Sequence, residues 1–195
     1  MKRCFDFTVA LIALIALSPV FVLTAIAVRC DSRGPIFFLQ QRVGRGFRSF
    51  WICKFRTMVV DAPLRGPQIT SGEDPRITRV GRYLRKWKLD ELPQLWNVFK
   101  GEMSLVGPRP EVPRYVEMFR DDYACLLSVR PGITDPASLK YRDEAAILAQ
   151  SQNPEETYVR LILPEKIALA KRYVAQASLS GDLALIWQTI CHVAR

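Results

Sequence analysis

The sequence predicts an α+β protein that is mostly helical and contains one short β-hairpin. Three observations predict this class. A charge-free apolar run covers 9–28, two strand-like runs lie between 36 and 58, and apolar residues recur at helical spacing from 77 onward. Spacings of three and four residues indicate amphipathic helices, whereas short apolar runs bounded by glycine indicate strands. The 195 residues are enough for one domain with its own core.

The apolar run at 9–28 has the length of a membrane-spanning helix and is interrupted by Ser18-Pro19. Twenty helical residues reach about 30 Å, the thickness of a bilayer core. A cleaved signal peptide and a spanning helix, straight or kinked at Pro19, are two interpretations. Because lysine and arginine flank the run on both sides, the positive-inside rule does not orient a spanning helix.

A re-entrant helix hairpin is the interpretation that we favour for this run. Pro19 lacks an amide N–H and its ring clashes with the carbonyl one turn back, so it bends a helix. Ser18 can bond the carbonyls that the bend frees. Both basic flanks would then face anionic headgroups on one side of the bilayer. The sequence therefore predicts a re-entrant membrane helix hairpin at 1–29 and a cytosolic, membrane-associated domain at 30–195.

A β-hairpin is predicted within 36–58. The runs 36–39 and 50–53 are apolar, and Gly44 and Gly46 mark a turn between them. The Gly-x-Gly pattern is a weak nucleotide-binding signal because no βαβ unit surrounds it. The segment 61–75 is rich in proline and glycine and predicts a loop or lid.

Helices are predicted in the rest of the chain. A basic amphipathic helix, suited to a core or a membrane interface, is indicated by Ile77, Val80, Leu84 and Trp87. A second apolar stripe follows two adjacent carboxylates and consists of Leu92, Leu95, Trp96 and Phe99. Pro93 suits the first turn of that helix. Further helices are predicted at 158–177 and after Gly181, with Asp182 as the N-cap of the last one.

Two adjacent carboxylates, Asp90 and Glu91, lie inside one of the most basic segments. The surrounding cations are Arg79, Arg82, Arg85, Lys86, Lys88, Lys100 and Arg109. Nearby positive charge favours the ionised form of an acid, which can act as a nucleophile or a metal ligand, and cations bind phosphate groups. The structural alternatives are a solvated helix of mixed charge and capping of the helix that begins near Pro93.

The composition narrows the function classes. A net charge of +9 points to nucleic acid, an anionic membrane surface or phosphorylated small molecules. The single histidine, His192, argues against histidine-based catalysis, and five scattered cysteines predict reduced thiols in a cytosolic compartment. The membrane segment, and the lack of any recognised nucleic-acid-binding motif in the chain, argue against nucleic acid as a partner. A non-catalytic protein that binds anionic lipid through basic helices remains a second hypothesis.

Several motifs, in their order, resemble the bacterial sugar transferases of the monotopic phosphoglycosyl transferase family. These motifs cover nearly the whole chain and include Lys2-Arg3-Cys4-Phe5-Asp6, Ser18-Pro19, Gln41-Arg42-Val43-Gly44, Lys54-Phe55-Arg56-Thr57-Met58, Asp90-Glu91-Leu92-Pro93-Gln94-Leu95, Ser104-Leu105-Val106-Gly107-Pro108-Arg109-Pro110 and Arg130-Pro131-Gly132-Ile133-Thr134. The resemblance implies interfacial helices around a cytosolic active site, in the minimal catalytic form of the family.

The resemblance also implies an activity and a location. Such enzymes move a phosphosugar from a UDP-sugar to a polyprenol phosphate, such as undecaprenyl phosphate, and release UMP. The reaction is the first membrane step in building a polysaccharide or glycoconjugate. The implied location is the inner (cytoplasmic) membrane of a bacterium, in contact with lipid of the cytosolic leaflet, with 30–195 as the catalytic domain.

The resemblance assigns roles to five residues. The family's acidic pair matches Asp90 and Glu91, so Asp90 would be the nucleophile that forms an aspartyl phosphosugar. Family members need Mg²⁺, and Asp90 would also lie close to this ion, while Glu91 would orient the metal or handle the acceptor's proton. Lys54, Arg85 and Arg109 match basic positions that bind substrate. Headgroup binding is the alternative for Lys54 and Arg85, and a structural salt bridge is the alternative for Arg109.

Two departures from the family pattern concern the sugar and a loop. Asp135-Pro136-Ala137-Ser138 stands where many relatives carry Gly-Trp-Ala-Gln, and Phe47 stands where many carry glycine. Neither change affects the acidic pair. The two changes concern which UDP-sugar is used and how the local loop is shaped, and the resemblance does not define either. Exposed apolar helix faces would permit a homodimer.

Overall fold

The computed structural model describes residues 2–66, 70, 72 and 74–193, and its mostly helical α+β architecture agrees with the predicted class. The α-helices are α1 (Lys2–Ala16), α2 (Ser18–Asp31), α3 (Ala62–Arg65), α4 (Arg79–Lys86), α5 (Gln94–Lys100), α6 (Pro113–Met118), α7 (Arg120–Leu126), α8 (Pro136–Lys140), α9 (Glu144–Ala149), α10 (Pro154–Thr157), α11 (Leu163–Gln176) and α12 (Leu179–Val193). The strands are β1 (Phe37–Val43), β2 (Ser49–Phe55), β3 (Ser104–Val106) and β4 (Gly132–Thr134). Positions 67–69, 71 and 73 of the predicted loop lie outside the described residues.

The helices α1 and α2 form a pair that is bent by 61° at the break between them. Pro19 lies in the first turn of α2, where a missing amide N–H leaves no bond unmade. The Ser18 hydroxyl donates to the Ile15 carbonyl at 2.7 Å, which confirms the predicted role of this serine. Within the described residues no single helix is long and apolar enough to cross a membrane, whereas the bent pair together meets these criteria of length and composition.

Both ends of the bent pair are attached to the same body. Near the start of α1, Arg3 donates to the carbonyls of Val98 and Phe99 at 2.5 and 2.8 Å, at the C-terminal end of α5. At the end of α2, the Asp31 carboxylate accepts the N–H of Val80 at 3.0 Å, at the start of α4. The two ends of the apolar segment are thereby both held against the main body.

The predicted β-hairpin is confirmed, with longer strands than the apolar runs indicated. Strand β1 pairs antiparallel with β2 from Phe37 opposite Phe55 to Val43 opposite Ser49. The connecting turn contains Gly46 and Phe47 with φ angles of 65° and 60°. Glycine adopts this left-handed region readily and phenylalanine does not, so Phe47 occupies a strained backbone position.

The basic helix is shorter than predicted. Helix α4 begins at Arg79, and the Thr78 hydroxyl caps it by accepting the Gly81 N–H at 3.0 Å. Ile77 lies before this cap and forms an antiparallel bridge with Met58. Ile77 therefore has helical spacing in the sequence but lies outside the helix, where it pairs with Met58.

The N-cap predicted for the last helix is wrong. Helix α12 begins at Leu179, before Asp182, and the Ser178 hydroxyl accepts the Gly181 N–H at 3.2 Å. The Asp182 carboxylate is buried and instead pairs with Lys2, while it accepts the Tyr173 hydroxyl at 2.7 Å. This acid ties α12 to α1 and α11. The helix predicted at 158–177 is confirmed as α11 preceded by a π-helical turn at Tyr158–Ile162.

A short parallel pair of strands positions the segment that follows β3. Strand β3 pairs with β4 through Ser104 opposite Gly132 and Val106 opposite Thr134. The chains approach closely beyond this pair, since a Cβ atom on Gly132 would lie 2.1 Å from the backbone nitrogen of Gly107. This close packing fixes the direction in which the segment that carries Arg109 leaves the sheet.

Candidate active site

The acidic pair lies in a sharp turn between α4 and α5. Lys88 adopts a left-handed φ of 53°, and Leu89–Glu91 then form a single 3₁₀ turn. The left-handed turn at Lys88 changes the direction of the chain. It thereby brings Arg85 towards Asp90, which lies five residues after Arg85. The N-caps of the 3₁₀ turn and of α5 are Lys88 and Pro93, so neither acid is a helix cap.

Glu91 holds two of the predicted substrate-binding cations. Its Oε1 accepts from Lys54 Nζ at 2.7 Å, and its Oε2 accepts from Arg109 Nη1 at 3.1 Å. Burial alone would raise the pKa of Glu91, but the charges and hydrogen bonds of Arg109 and Lys54 hold it well below its usual range. Glu91 is therefore an ionised anchor with which Arg109 forms a salt bridge, and the binding of substrate by Arg109 stays a prediction.

Asp90 has a different environment from its neighbour. Asp90 is 8% exposed, and its Oδ1 has no hydrogen-bond partner among the described residues. Burial raises the pKa of Asp90, and the charges of Lys54 and Arg85 only partly offset this effect. The expectation that surrounding cations hold both acids in the ionised form is therefore confirmed for Glu91, whereas the pKa of Asp90 shifts in the opposite direction. The alternative of a solvated helix is wrong for Asp90.

Arg85 completes the group of cations around Asp90. Its Nε donates to the Thr57 hydroxyl at 2.9 Å, which holds the guanidinium against the end of the hairpin. Burial lowers the pKa of Arg85 while the Asp90 charge acts in the opposite direction. Thr57 was missed by sequence reasoning, because its partner is distant in sequence and no local spacing signals the contact.

All five predicted site residues line one cavity of about 1990 Å³, namely Lys54, Arg85, Asp90, Glu91 and Arg109. They come from β2, α4, the 3₁₀ turn and the segment after β3, so residues separated by 55 positions in sequence meet at one site. The cavity therefore combines a buried carboxylate that has a free oxygen with three cations, an arrangement that can bind a phosphorylated molecule and attack it.

Asn97 is a second residue that sequence reasoning missed. It is 1% exposed, and its amide nitrogen donates to the carbonyl of Trp51 at 2.7 Å. Its amide oxygen accepts the N–H of Cys53 at 3.0 Å. These bonds fix α5 against β2 and so align Lys54 with Glu91. The only sequence signal is an amide on an otherwise apolar stripe.

Comparison with known proteins identifies the family. The model of the bacterial sugar transferases matches residues 1–195. The chain belongs to the bacterial sugar transferase family. The resemblance of its motifs is thereby confirmed.

Three relatives illustrate the range of this family. The chain is 38% identical over 196 residues to the undecaprenyl-phosphate glucose phosphotransferase of Komagataeibacter xylinus. It is 37% identical over 193 residues to the UDP-N-acetylgalactosamine-undecaprenyl-phosphate N-acetylgalactosaminephosphotransferase of Aeromonas hydrophila. It is 34% identical over 204 residues to the exopolysaccharide production protein ExoY of Sinorhizobium fredii. Each alignment covers 97% of the chain but 35%, 43% and 83% of the respective relative, so the chain spans less than half the length of the first two.

The loop at 135–138, where the sequence departs from the family pattern, also faces the cavity. Asp135 is 1% exposed, caps α8 by accepting the Ser138 N–H at 2.7 Å, and accepts the Arg109 N–H at 3.3 Å. Ser138 lines the cavity, and its hydroxyl oxygen is buried without a hydrogen-bond partner in the part of the chain that the structure describes. The departing segment thus forms part of the wall beside Arg109.

Proposed function

We propose that this chain transfers a phosphosugar from a UDP-sugar to a polyprenol phosphate such as undecaprenyl phosphate, giving a polyprenyl-diphosphate-sugar and UMP. The observation that carries the proposal is the free buried oxygen of Asp90 in a cavity that Lys54, Arg85 and Arg109 line. The names of two relatives, which contain undecaprenyl phosphate together with a sugar phosphotransferase activity, support the same acceptor.

The first step uses Asp90 as the nucleophile. One carboxylate oxygen attacks the phosphorus that carries the sugar, and a new bond forms between this oxygen and the phosphorus. The bond from that phosphorus to the oxygen bridging to UMP breaks, and UMP leaves with the electron pair. The cations Lys54, Arg85 and Arg109 bind the diphosphate and stabilise the charge that develops on its oxygens.

The second step regenerates the carboxylate. A phosphate oxygen of the acceptor attacks the same phosphorus, and the bond to Asp90 breaks. A phosphate monoester loses its second proton near pH 6, so the acceptor is largely ionised at neutral pH. Because the pKa of Glu91 is lowered, Glu91 is not suited to take up a proton. We therefore assign Glu91 to the positioning of Lys54 and Arg109.

The residues present fit a magnesium ion that is shared with the substrate. No group of three or more metal-ligating side chains exists among the described residues, but Mg²⁺ is commonly held by one or two carboxylates together with substrate phosphates. The unpartnered Oδ1 of Asp90 is a suitable ligand, and Glu91 is less available because two cations occupy it. When bound, the ion would neutralise charge on the diphosphate.

We also propose that α1 and α2 form a re-entrant hairpin in the cytosolic leaflet of the inner membrane. The attachment of both helix ends to one body, through Arg3 and Asp31, supports this topology. The strongly exposed apolar side chains Ile15 and Leu23, on the two arms, suit contact with lipid. The catalytic domain would then lie flat on the membrane, where the acceptor phosphate is.

Cysteine labelling tests this topology. Cys4, Cys30 and Cys125 are exposed, and Cys125 lies in α7 of the main body. In variants that each keep one of these thiols, we expect an impermeant maleimide to react with all three from the cytosolic face of sealed vesicles. Labelling of Cys4 from the face opposite to Cys125 would contradict the hairpin.

The activity itself is tested by UMP release. Purified protein in detergent should release UMP when it is given its UDP-sugar, Mg²⁺ and undecaprenyl phosphate, and a panel of UDP-sugars would identify the donor. The alternative of a non-catalytic lipid-binding protein predicts no UMP release with any donor, and anionic-lipid binding that Asp90→Asn leaves unchanged.

The pH dependence provides a prediction about the nucleophile. Asp90 attacks only as the carboxylate, so kcat/KM should fall as the pH drops through its pKa, which burial raises. Because the Arg85 charge lowers that pKa, Arg85→Ala should move the acidic limb of the pH profile to higher pH. Arg79→Ala is the matched control, since Arg79 is exposed on the same helix and outside this cavity. An unmoved limb in the Arg85 variant would argue against this role for Asp90.

A further inference from the structure

Gln94, the first residue of α5, has a polar side chain that is buried without hydrogen bonds. It is 0% exposed, and neither its amide nitrogen nor its amide oxygen has a partner in the described part of the chain. Burying an amide in this way lowers stability, so such groups are rare in native proteins and call for an explanation. The Gln94 amide is therefore available for a hydrogen bond that the free protein does not make.

Gln94 shares one face of a helical segment with Asp90 and Asn97. The backbone is helical throughout 89–100, because the two residues that join the 3₁₀ turn to α5 also have right-handed helical angles. Asp90, Gln94 and Asn97 are four and three residues apart, and side chains at these spacings are neighbours on a helix. Asn97 bonds to the backbone of β2, so this face of the segment is turned towards the hairpin.

Asp90 is the neighbour of Gln94 on this face that has an open acceptor. The Asn97 amide already makes three hydrogen bonds, two to the backbone of β2 and one to Glu102. The Oδ1 of Asp90, in contrast, is buried and has no partner among the residues whose structure is described. Glutamine and aspartate four residues apart on a helix form side-chain hydrogen bonds. A bond from Gln94 Nε2 to Asp90 Oδ1 would thus satisfy two buried groups at once.

We propose that Gln94 is the positioning residue of the nucleophile, and that its Nε2 donates to Oδ1 of Asp90 when the donor is bound. Attack on phosphorus requires the carboxylate in a fixed orientation, which this bond supplies. An ionised carboxylate has about four acceptor sites on its two oxygens, so the other oxygen stays free to attack. This inference rests on the proposed function, because it assumes that Asp90 is the nucleophile.

Gln94→Leu should slow the first half-reaction without weakening donor binding. With saturating donor and no acceptor, the first equivalent of UMP should be released about tenfold more slowly or worse, the effect of losing a hydrogen bond to a charged group. The donor concentration that gives half of this rate should be unchanged, because the cations Lys54, Arg85 and Arg109 are still present. The Tm should equal or exceed that of the wild type, because the variant no longer buries an unpartnered amide.

Two controls separate this signature from a structural role. Gln176→Leu makes the same substitution at an exposed position of α11 outside the cavity, and should release UMP at the wild-type rate. Asn97→Ala removes a buried amide whose bonds are already made in the free protein, so it should lower the Tm. UMP release at the wild-type rate in Gln94→Leu, or a Tm below that of the wild type, would overturn the role of Gln94.

A crystal structure of the unaltered protein with a donor analogue is a test that needs no variant. With Mg²⁺ and an analogue in which a methylene group replaces the oxygen between the two phosphates, Gln94 Nε2 should lie about 2.7–3.2 Å from a carboxylate oxygen of Asp90. A Gln94 amide bonded elsewhere in that complex would overturn the proposal. If the wild-type protein releases no UMP with any donor, the proposed function fails and this inference fails with it, whereas wild-type release in Gln94→Leu refutes only the role of Gln94.

Discussion

Asp90→Asn should abolish phosphosugar transfer, with a fall in turnover of about four orders of magnitude or more, as is typical when an enzyme loses its nucleophile. The amide that replaces the carboxylate is uncharged and a poor nucleophile, so it cannot form the bond to phosphorus. UMP release in the presence of donor and acceptor measures this effect. The matched control is Asp121→Asn, an exposed acid on α7 outside the cavity, which should keep wild-type turnover.

The same variant should not lose stability, which separates a chemical role from a structural one. The folded-state pKa of Asp90 is raised, so the protein gives up stability as the pH rises through that pKa and the buried carboxylate ionises. An asparagine removes this cost at neutral pH. We therefore expect the Tm of Asp90→Asn to equal or exceed that of the wild type. A variant that loses both activity and Tm would point to a structural role for Asp90.

Glu91→Gln should lower stability as well as activity, because it removes the anion that holds two cations. Lys54 and Arg109 would be left partly buried without their partner, and breaking a buried pair is costly. We expect the free energy of unfolding to fall by about 2–4 kcal/mol. This value is at the lower end of such effects because the Arg109 side chain is 31% exposed. Activity should also fall, because neither cation would keep its position at the diphosphate.

The pH dependence of stability checks the sign of this effect. The folded-state pKa of Glu91 is lowered, so its contribution is present above the pKa of the unfolded chain and is lost as the pH falls through the folded value. Thermal unfolding at several pH values should show this acid-induced loss in the wild type and less of it in Glu91→Gln. The control is Glu117→Gln, which removes an exposed pair with Arg120 and should change Tm little. A wild-type Tm in Glu91→Gln would contradict the anchoring role.

Features with a local cause could be predicted from the sequence. The bend at Ser18 and Pro19 follows from a missing N–H and a hydroxyl three residues from its acceptor, and the structure has both. The hairpin follows from two apolar runs around a glycine turn. The grouping of Asp90 with Lys54 and Arg109 was predicted from family motifs, since no local rule joins positions so far apart.

Features that depend on long-range packing could not be predicted. Asp182 occurs where an N-cap is expected, yet it pairs with Lys2 at the other end of the chain. Asp90 and Glu91 are adjacent in sequence, but among the described residues Glu91 alone of the two has ion pairs, with Lys54 and Arg109, which are distant in sequence. Burial raises the pKa of the acid that has no such contact. The division of labour between the two acids is thus a property of the fold.

The most direct test of the account is the mass of the protein after reaction with donor alone. Wild-type protein incubated with its UDP-sugar and Mg²⁺ but no acceptor, quenched in acid and digested, should yield an Asp90-containing peptide heavier by one sugar phosphate. The addition should disappear when undecaprenyl phosphate is supplied before the quench. Release of UMP with no mass gain on this peptide, or a gain on a different residue, would contradict Asp90 as the covalent nucleophile.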